Sequence, residues 1–157
     1  KKFTLEELYR YGVYGLDDSC EPVRPMKLTE YEKLSEIPDG RSVIISPHAK
    51  SSANIRMEYW EQLIREYSEQ GYTIYTNAVG DEETLPGTIR FTAPLSAMQS
   101  VVERAGTFIG LRSGLCDVIQ RAECNKIALY PDNYYSDTKW KTEEIFYLDG
   151  WENVVIR

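Results

Sequence analysis

Histidine and cysteine are scarce in this 157-residue chain: His48 is the single histidine, and the cysteines are Cys20, Cys116 and Cys124. No CxxC pair and no Cys/His cluster is present, which excludes the usual zinc-ligand spacings. An odd, sparse cysteine set predicts reduced thiols in a cytoplasmic protein rather than a disulfide framework. No metal and no cofactor is expected. No apolar run approaches the roughly 18 residues that a membrane span requires, so no transmembrane segment is expected. Lys1-Lys2-Phe3-Thr4 opens no apolar stretch of the signal-peptide kind and there is no initiator Met, so the chain is expected to be a processed product or a domain cut from something larger. Positive charge is also in deficit: 18 Lys and Arg against 25 Asp and Glu leave a net charge of −7. Nucleic acids and anionic membrane surfaces recruit Lys and Arg, so this balance excludes a general nucleic-acid partner and leaves room only for a local basic pocket. What remains is 42% hydrophobic, 27% charged and 12% aromatic, the composition of a folded globular chain long enough to bury a core.

Residues 1–40 read as a helical linker or appendage packing on a main domain. Thr4 and Thr29 are candidate caps of short helices over 5–8 and 28–34, with the loop residues Asp17, Asp18, Pro22 and Pro25 between them. Residues 41–157 are more regular. Val43-Ile44-Ile45, Tyr72-Thr73-Ile74-Tyr75, Ile89-Arg90-Phe91, Thr107-Phe108-Ile109, Ile127-Ala128-Leu129-Tyr130 and Val154-Val155-Ile156 read as strands. Between them, Ile55, Tyr59, Trp60, Leu63, Ile64 and Tyr67 recur at helical spacing before Gly71. Leu95, Met98, Val101, Val102 and Ala105 do so between Pro94 and Gly106, and residues 113–122 form a third helical stretch. A partly helical stretch is expected over 138–146. Strands alternating with helices predict an α/β fold, a Rossmann-like three-layer sandwich with a mostly parallel sheet. Ligands of such sheets bind beyond the carboxyl ends of the strands, at the switch in strand order.

The loops at those strand ends carry the candidate chemistry. Acidic residues are absent from 40–57, 84–102 and 104–116, where Arg41, His48, Lys50, Arg56, Arg90, Arg104 and Arg112 fall. An anionic ligand would explain that exclusion; chance clustering of solvated charge is the alternative. In Ile109-Gly110-Leu111-Arg112-Ser113-Gly114-Leu115-Cys116-Asp117, a strand passes through a tight turn into a helix. Ser113 is a candidate cap, Gly114 lets a phosphate approach the first-turn amides, Arg112 can add a charged fork, and Asp117 can bind a ribose, pair with Arg112 or complement the helix dipole. In Ser46-Pro47-His48-Ala49-Lys50-Ser51-Ser52, Lys50 and Ser51 are candidate phosphate contacts and His48 a hydrogen-bonder to phosphate or sugar. No nucleophile elbow accompanies them, and neither GxGxxG nor a P-loop is present. Cys116 reads as a packed thiol, Asn77 and Asp81 as turn residues. Tyr134, Tyr135 and Trp140 read as packing residues, with sugar stacking the alternative.

The stretch from Val43 to Pro131 resembles the C-terminal, nucleotide-sugar-binding half of GT-B glycosyltransferases, in a layout similar to the bacterial heptosyltransferases. The pieces that carry the resemblance are Ile45-Ser46-Pro47-His48-Ala49-Lys50, the helix ending in Ala105, Phe108-Ile109-Gly110 and Ser113-Gly114. The stretch from Phe108 to Asp117 is also similar to glycosyltransferases of bacterial surface-polysaccharide clusters. The heptosyltransferases carry an acidic residue where Arg112 stands, and His and Pro of the first loop are in inverted order. The resemblance therefore carries neither nucleotide nor sugar identity. It implies a domain that holds a nucleotide-sugar donor through Arg112, Ser113, Gly114, Lys50, His48, Ser51 and Asp117, without a metal. The partners it implies are a glycan or lipid-linked acceptor and the N-terminal half of the same parent protein, which would hold the acceptor and the catalytic base. The implied location is the cytoplasm, at most peripheral to the inner face of a membrane. The competing reading is a non-catalytic Rossmann-like or flavodoxin-like regulatory or interaction module. The want of an acid beside Ile45, Tyr75 or Ile109 counts against a Mg²⁺-binding receiver.

Overall fold

The computed structural model describes residues 5–20, 31–50 and 52–157. The candidate caps Thr4 and Thr29, the residues 28–30 of the second expected helix, and Ser51 lie outside them. A first helical turn, α1 (Leu5–Glu7), runs on as a π-helical turn over Leu8–Val13, and a 3₁₀ turn spans Glu32–Glu36. The regular fold then begins. In chain order it comprises β1 (Ser42–Ser46), α2 (Met57–Glu69), β2 (Thr73–Asn77), β3 (Ile89–Phe91), α3 (Leu95–Ala105), β4 (Gly106–Leu111), α4 (Gly114–Val118), β5 (Asn125–Pro131), α5 (Thr142–Ile145) and β6 (Glu152–Ile156).

The six strands form one sheet in the order β3-β2-β1-β4-β5-β6, and every neighbouring pair is parallel. The chain builds outward from β1 through β2 to β3. It then crosses back along α3 to the far side of β1 and continues through β4 to β6. Right-handed crossovers in opposite directions place helices on opposite faces. Alternate strand residues follow suit. Val43, Ile45, Ile109, Leu111 and Leu129 pack with Trp60 and Ile64 of α2. Ile44, Phe108, Ala128 and Tyr130 pack with Met98, Val101 and Val102 of α3 and with Cys116 beyond it. The expected three-layer α/β sandwich is therefore present, with β1 buried along its whole length.

Local chemistry sets the turns. At the end of α2 the Gly71 amide donates to Ser68 O (2.9 Å) and the Tyr72 amide to Tyr67 O (3.1 Å), while the two tyrosine rings meet edge-on at 5.4 Å. That is a Schellman ending with its usual apolar contact, and Gly71 supplies the required left-handed residue at φ +79°. At the end of α3, Gly106 takes φ +90°, and a Cβ there would stand 3.0 Å from the Gly40 Cα. Residues 31–40 pack against this end of the sheet: Ile37 is fully buried, the Tyr75 hydroxyl donates to Glu36 O (3.2 Å), and Arg104 Nε donates to Ile37 O (3.1 Å).

Two departures from expectation fall beside the β4–α4 turn. β4 runs through Leu111, two residues beyond the expected strand, because Gly110 and Leu111 continue to pair with Ala128 and Leu129 of β5. The third helix stops at Val118 instead of reaching residue 122. Ile119 and Ala122 are still buried, but the chain tightens into i→i+3 turns (Gln120 N to Asp117 O, 3.4 Å; Ala122 N to Ile119 O, 3.0 Å). Lys126 Nζ donates to the carbonyls these turns expose, Gln120 O (2.8 Å) and Ala122 O (2.7 Å).

Candidate functional site

The strand order reverses between β1 and β4, so the loops that leave their carboxyl ends diverge to opposite faces, the place where sheets of this order carry their ligand crevice. Ser46 and Gly110 pair at its floor. The floor is tight: a Cβ on Gly110 would stand 2.8 Å from Phe108 Cζ and 3.1 Å from Ser46 Cβ. Ser46 is buried, within 3.5 Å of Asn77 Nδ2 from the end of β2.

On the β1 side, His48 is half-buried and its Nε2 lies 2.8 Å from Glu83 O. With the proton on Nε2 it donates to that carbonyl and ties the loop after β1 to the loop after β2. Lys50 is exposed and has no ion pair among the described residues. Ser51 lies outside the described residues.

On the β4 side, Gly114 opens α4, and a Cβ placed on it would meet nothing within 4 Å. The amides of a first helical turn have no intrahelical acceptor, which leaves those of Gly114 and Leu115 without a helical partner. Ser113 is the cap residue, but its hydroxyl caps no amide of α4 and interacts with the Cys116 thiol. Cys116 is fully buried, and burial pushes its thiol above the usual cysteine range. It is a packed thiol, not an activated nucleophile.

Arg112 was the residue expected to reach a ligand. Its guanidinium instead bonds the protein around it. Nε donates to Phe146 O (2.9 Å), Nη1 to Ser113 O (2.6 Å) and Asp117 Oδ2 (2.9 Å), and Nη2 to Asp117 Oδ1 (2.7 Å). The side chain is 6% exposed, against 39% for that of Asp117. At most one of its five N–H groups remains for anything else. Of the three readings of Asp117, the pairing with Arg112 is present, and Asp117 also lies in the first turn of α4, where it complements the helix dipole. Phe146 is the residue that sequence reasoning missed. Its carbonyl, besides receiving Arg112, lies 2.9 Å from the Tyr130 hydroxyl, and its ring sits 5.8 Å from the Arg112 Cζ. No local pattern marks a carbonyl, so only the closure of α5 onto β5 makes it visible.

The other cations of the acid-free gaps do not converge on the crevice. Arg41 and Arg104 stand at the opposite end of the sheet, Arg41 over the Tyr72 ring (5.0 Å) and Arg104 beside Asp39 (3.2 Å). Arg90 braces the loop after β2 through Glu82 O (2.7 Å) and Gly80 O (2.6 Å). Arg56 donates to Arg157 O (3.3 Å). Among the described residues no group of three or more His, Cys, Asp or Glu comes together in a way that would hold a metal ion, and no helix is long and apolar enough to cross a membrane.

No family model and no curated protein matches the chain. Among solved structures, the fold is similar to that of TibC, an iron-containing dodecameric bacterial glycosyltransferase from enterotoxigenic E. coli. The TM-score is 0.53 at 21% sequence identity, over 74% of this chain and 32% of TibC. The chain thus has a fold found within a glycosyltransferase and spans about a third of the length of that protein.

Proposed function

We propose that the chain is the donor-binding unit of a bacterial glycosyltransferase, the C-terminal half of a GT-B enzyme. In this reading it holds a nucleotide diphosphate sugar across the β1/β4 crevice. The observations that carry the reading are the exposed Gly114 at the start of α4, where a Cβ would meet nothing within 4 Å, and the exposed Lys50 after β1, which has no ion pair among the described residues. The fold likeness to a glycosyltransferase supports the same assignment. The diphosphate sits on the Ser113-Gly114 amides, with Lys50 as a mobile counter-charge and Ser51 as a further contact. As the sugar departs, negative charge grows on the diphosphate, and fixed amide dipoles stabilise it without reorganising. Arg112 is a positioning residue here: it fastens Phe146 O, Ser113 O and Asp117 beneath the turn. His48 fixes the opposite wall through Glu83 O. Residues 1–40 link this unit to an N-terminal half that supplies the acceptor site and the catalytic base, and the assembly works in the cytoplasm on a glycan or lipid-linked acceptor of a surface polysaccharide.

The test is isothermal titration of the domain with UDP, GDP, ADP and their sugar conjugates, at low and at raised salt. Gly114→Val is the discriminating variant. Open space surrounds the Gly114 Cβ position and its φ is not left-handed, so the fold accepts the side chain while the phosphate approach is filled. Wild-type binding that Gly114→Val abolishes and Lys50→Ala weakens, more so at low salt, supports the assignment. Equal binding by wild type and Gly114→Val, or no binding by wild type, overturns it.

A further inference from the structure

The sheet ends in two edges that are closed differently. An edge strand turns one row of backbone N–H and C=O groups outward, which templates another strand unless the edge is short, charged, bulged or covered. β3 is three residues long, and Phe91 O accepts from the Ala78 amide (3.1 Å), so Phe91 and Ile89 turn their backbones toward β2. Only Arg90 faces outward there, and it carries a charge. β6 has none of these protections. It runs from Glu152 to Ile156 without proline or lysine, and its pairing with β5 is unbroken along that length. Ile156 O accepts from the Asp132 amide (3.0 Å), so Ile156, Val154 and Glu152 turn their backbone groups to β5, while Asn153 and Val155 turn theirs away. Among the described residues no hydrogen bond reaches the backbone N–H or C=O of Asn153 or Val155. Val154, Val155 and Ile156 are half-buried, with Val155 packed on one face of the sheet and Val154 and Ile156 on the other.

The order of side chains along this edge selects the strand that fits it. Run antiparallel to itself about Val155, β6 sets Val155 opposite Val155, Val154 opposite Ile156 and Asn153 opposite Arg157 of the second copy. Apolar side chains then meet apolar ones on both faces, and polar meets polar at the ends, which is the pairing that stabilises a sheet. The outward backbone groups match as well. Val155 N–H of each copy donates to Val155 O of the other, and Asn153 and Arg157 exchange bonds on either side. Arg157 O already accepts from Arg56 at 3.3 Å, and a carbonyl has a second lone pair for this bond. Moving the centre by one residue, to Val154, keeps the outward rows aligned but sets Glu152 opposite Ile156 and Asn153 opposite Val155. Each of those pairs puts a polar side chain against an apolar one.

We propose that two copies of the chain join edge to edge through β6, antiparallel about Val155, into one sheet of twelve strands, six from each copy. The join uses up the open edge of each copy and leaves only the short, charged β3 edges outermost, so association closes at two. It does not rest on the donor-binding reading. β5 and β4 stand between β6 and β1. The antiparallel join points the carboxyl ends of the two sets of strands in opposite directions, so the two switch points lie at opposite ends of the dimer.

Sedimentation velocity reads the join, in a chain carrying Cys20→Ser so that the exposed thiol forms no adventitious link. The expected result is a monomer–dimer equilibrium with a Kd of about 10–100 μM, because a join of small area makes a weak complex. Val155→Pro deletes the outward N–H at the two-fold and no hydrogen bond among the described residues, a change that edge strands tolerate. It should weaken the dimer about tenfold at unchanged circular dichroism and unchanged nucleotide titration. Cysteine pairing reads the register with the packing kept. Cα atoms of a hydrogen-bonded antiparallel pair stand about 5.5 Å apart, within reach of a disulfide, so Val155→Cys should link two copies under mild oxidation. Val154→Cys should not, because residue 154 then faces Ile156 of the second copy and stands more than about 7 Å from its own counterpart. A dimer that binds no nucleotide leaves the join standing and removes the donor reading. A monomer up to about 500 μM, far above the Kd expected for so small an interface, overturns the join; slow hydrogen exchange at Asn153 and Val155 in that monomer would show the edge covered by its own chain. A dimer that Val155→Pro leaves intact, or a link through Val154→Cys in place of Val155→Cys, overturns it equally.

Discussion

The Arg112–Asp117 pair makes an asymmetric prediction, because its two members differ in burial. The Arg112 side chain is 6% exposed and the Asp117 side chain 39%. Replacing Asp117 with Ala leaves a guanidinium buried without its counter-charge. Breaking a buried pair in that sense costs about 3–5 kcal/mol. The two carbonyls and the Phe146 ring that still face Arg112 put the expected loss at the low end, about 3 kcal/mol. Replacing Arg112 with Met is the reverse case. The carboxylate left behind is open to water and rehydrates. Phe146 O keeps the Tyr130 hydroxyl within 2.9 Å, and Ser113 O keeps the Cys116 amide at 3.0 Å, so neither acceptor is orphaned. Met restores much of the buried volume. The charge-assisted bonds lost, about 1.5–3 kcal/mol, are partly offset by that packing, and a net cost of about 1 kcal/mol is expected. Urea unfolding followed by circular dichroism reads the difference. At a slope of about 2 kcal/mol/M, Asp117→Ala moves the midpoint down by about 1.5 M and Arg112→Met by about 0.5 M. The double variant should fall nearer to Arg112→Met than to Asp117→Ala, because it contains no buried unpaired charge. If Arg112→Met is the more costly change, or if Asp117→Ala costs less than about 1 kcal/mol, Arg112 is not held as described and is free to serve a ligand directly.

Gly110→Ala should cost about 1–3 kcal/mol as an overpacking change, since its methyl meets Phe108 Cζ at 2.8 Å and Ser46 Cβ at 3.1 Å. An unshifted urea midpoint would show that β1 and β4 part easily at the crevice floor. Burial pushes the Cys124 thiol up to about 11, and Cys116 is raised too, whereas Cys20 is exposed. At pH 8 about one Cys124 thiol in a thousand is ionised, so iodoacetamide should label Cys20 first, and the Cys124 rate should rise about tenfold per pH unit up to pH 10. Mass spectrometry showing Cys124 labelled as fast as Cys20 would contradict its burial. Lys141 hydrogen-bonds Asp132 and holds its carboxyl below the ordinary range, while Asp132 raises Lys141. An antiparallel bridge between Tyr134 and Lys141 closes a short hairpin here. The pair tightens this hairpin above the ordinary carboxylate pKa and weakens as pH falls through the depressed one. On the alkaline side it persists below the ordinary lysine pKa and is lost as pH rises through the raised one. Acrylamide quenching of Trp140 should accordingly stay flat between about pH 5 and pH 9, and a step within that window would place another titrating group at the hairpin.

How far the sequence speaks depends on whether a feature is local. The strands and α2 and α3 follow from apolar periodicity and from glycines that must take left-handed angles, as at Gly71 and Gly106. Helical spacing alone overextends α4, because Leu115, Val118, Ile119 and Ala122 keep that spacing while Lys126, eight residues beyond Val118, takes the carbonyls of the unwound turn. The acid-free gaps mislead for a related reason. Arg41 and Lys50 are nine positions apart, but β1 runs between them and carries the chain about 17 Å across the sheet, so they end on opposite edges. Arg90, Arg104 and Arg112 have backbone carbonyls within reach, at Glu82, Gly80, Ile37 and Phe146, and a fork of five donors satisfies those before it waits for a ligand. The crevice itself is the least local feature. Nothing in the residues after β1 or after β4 states that these loops are neighbours. They become so because α3 carries the chain back across the sheet and sets β4 against β1 rather than beyond β3. A single crossover thus decides which candidate residues can act on one ligand. It sets the loop that carries Lys50 and the loop that carries Gly114 on neighbouring strand ends.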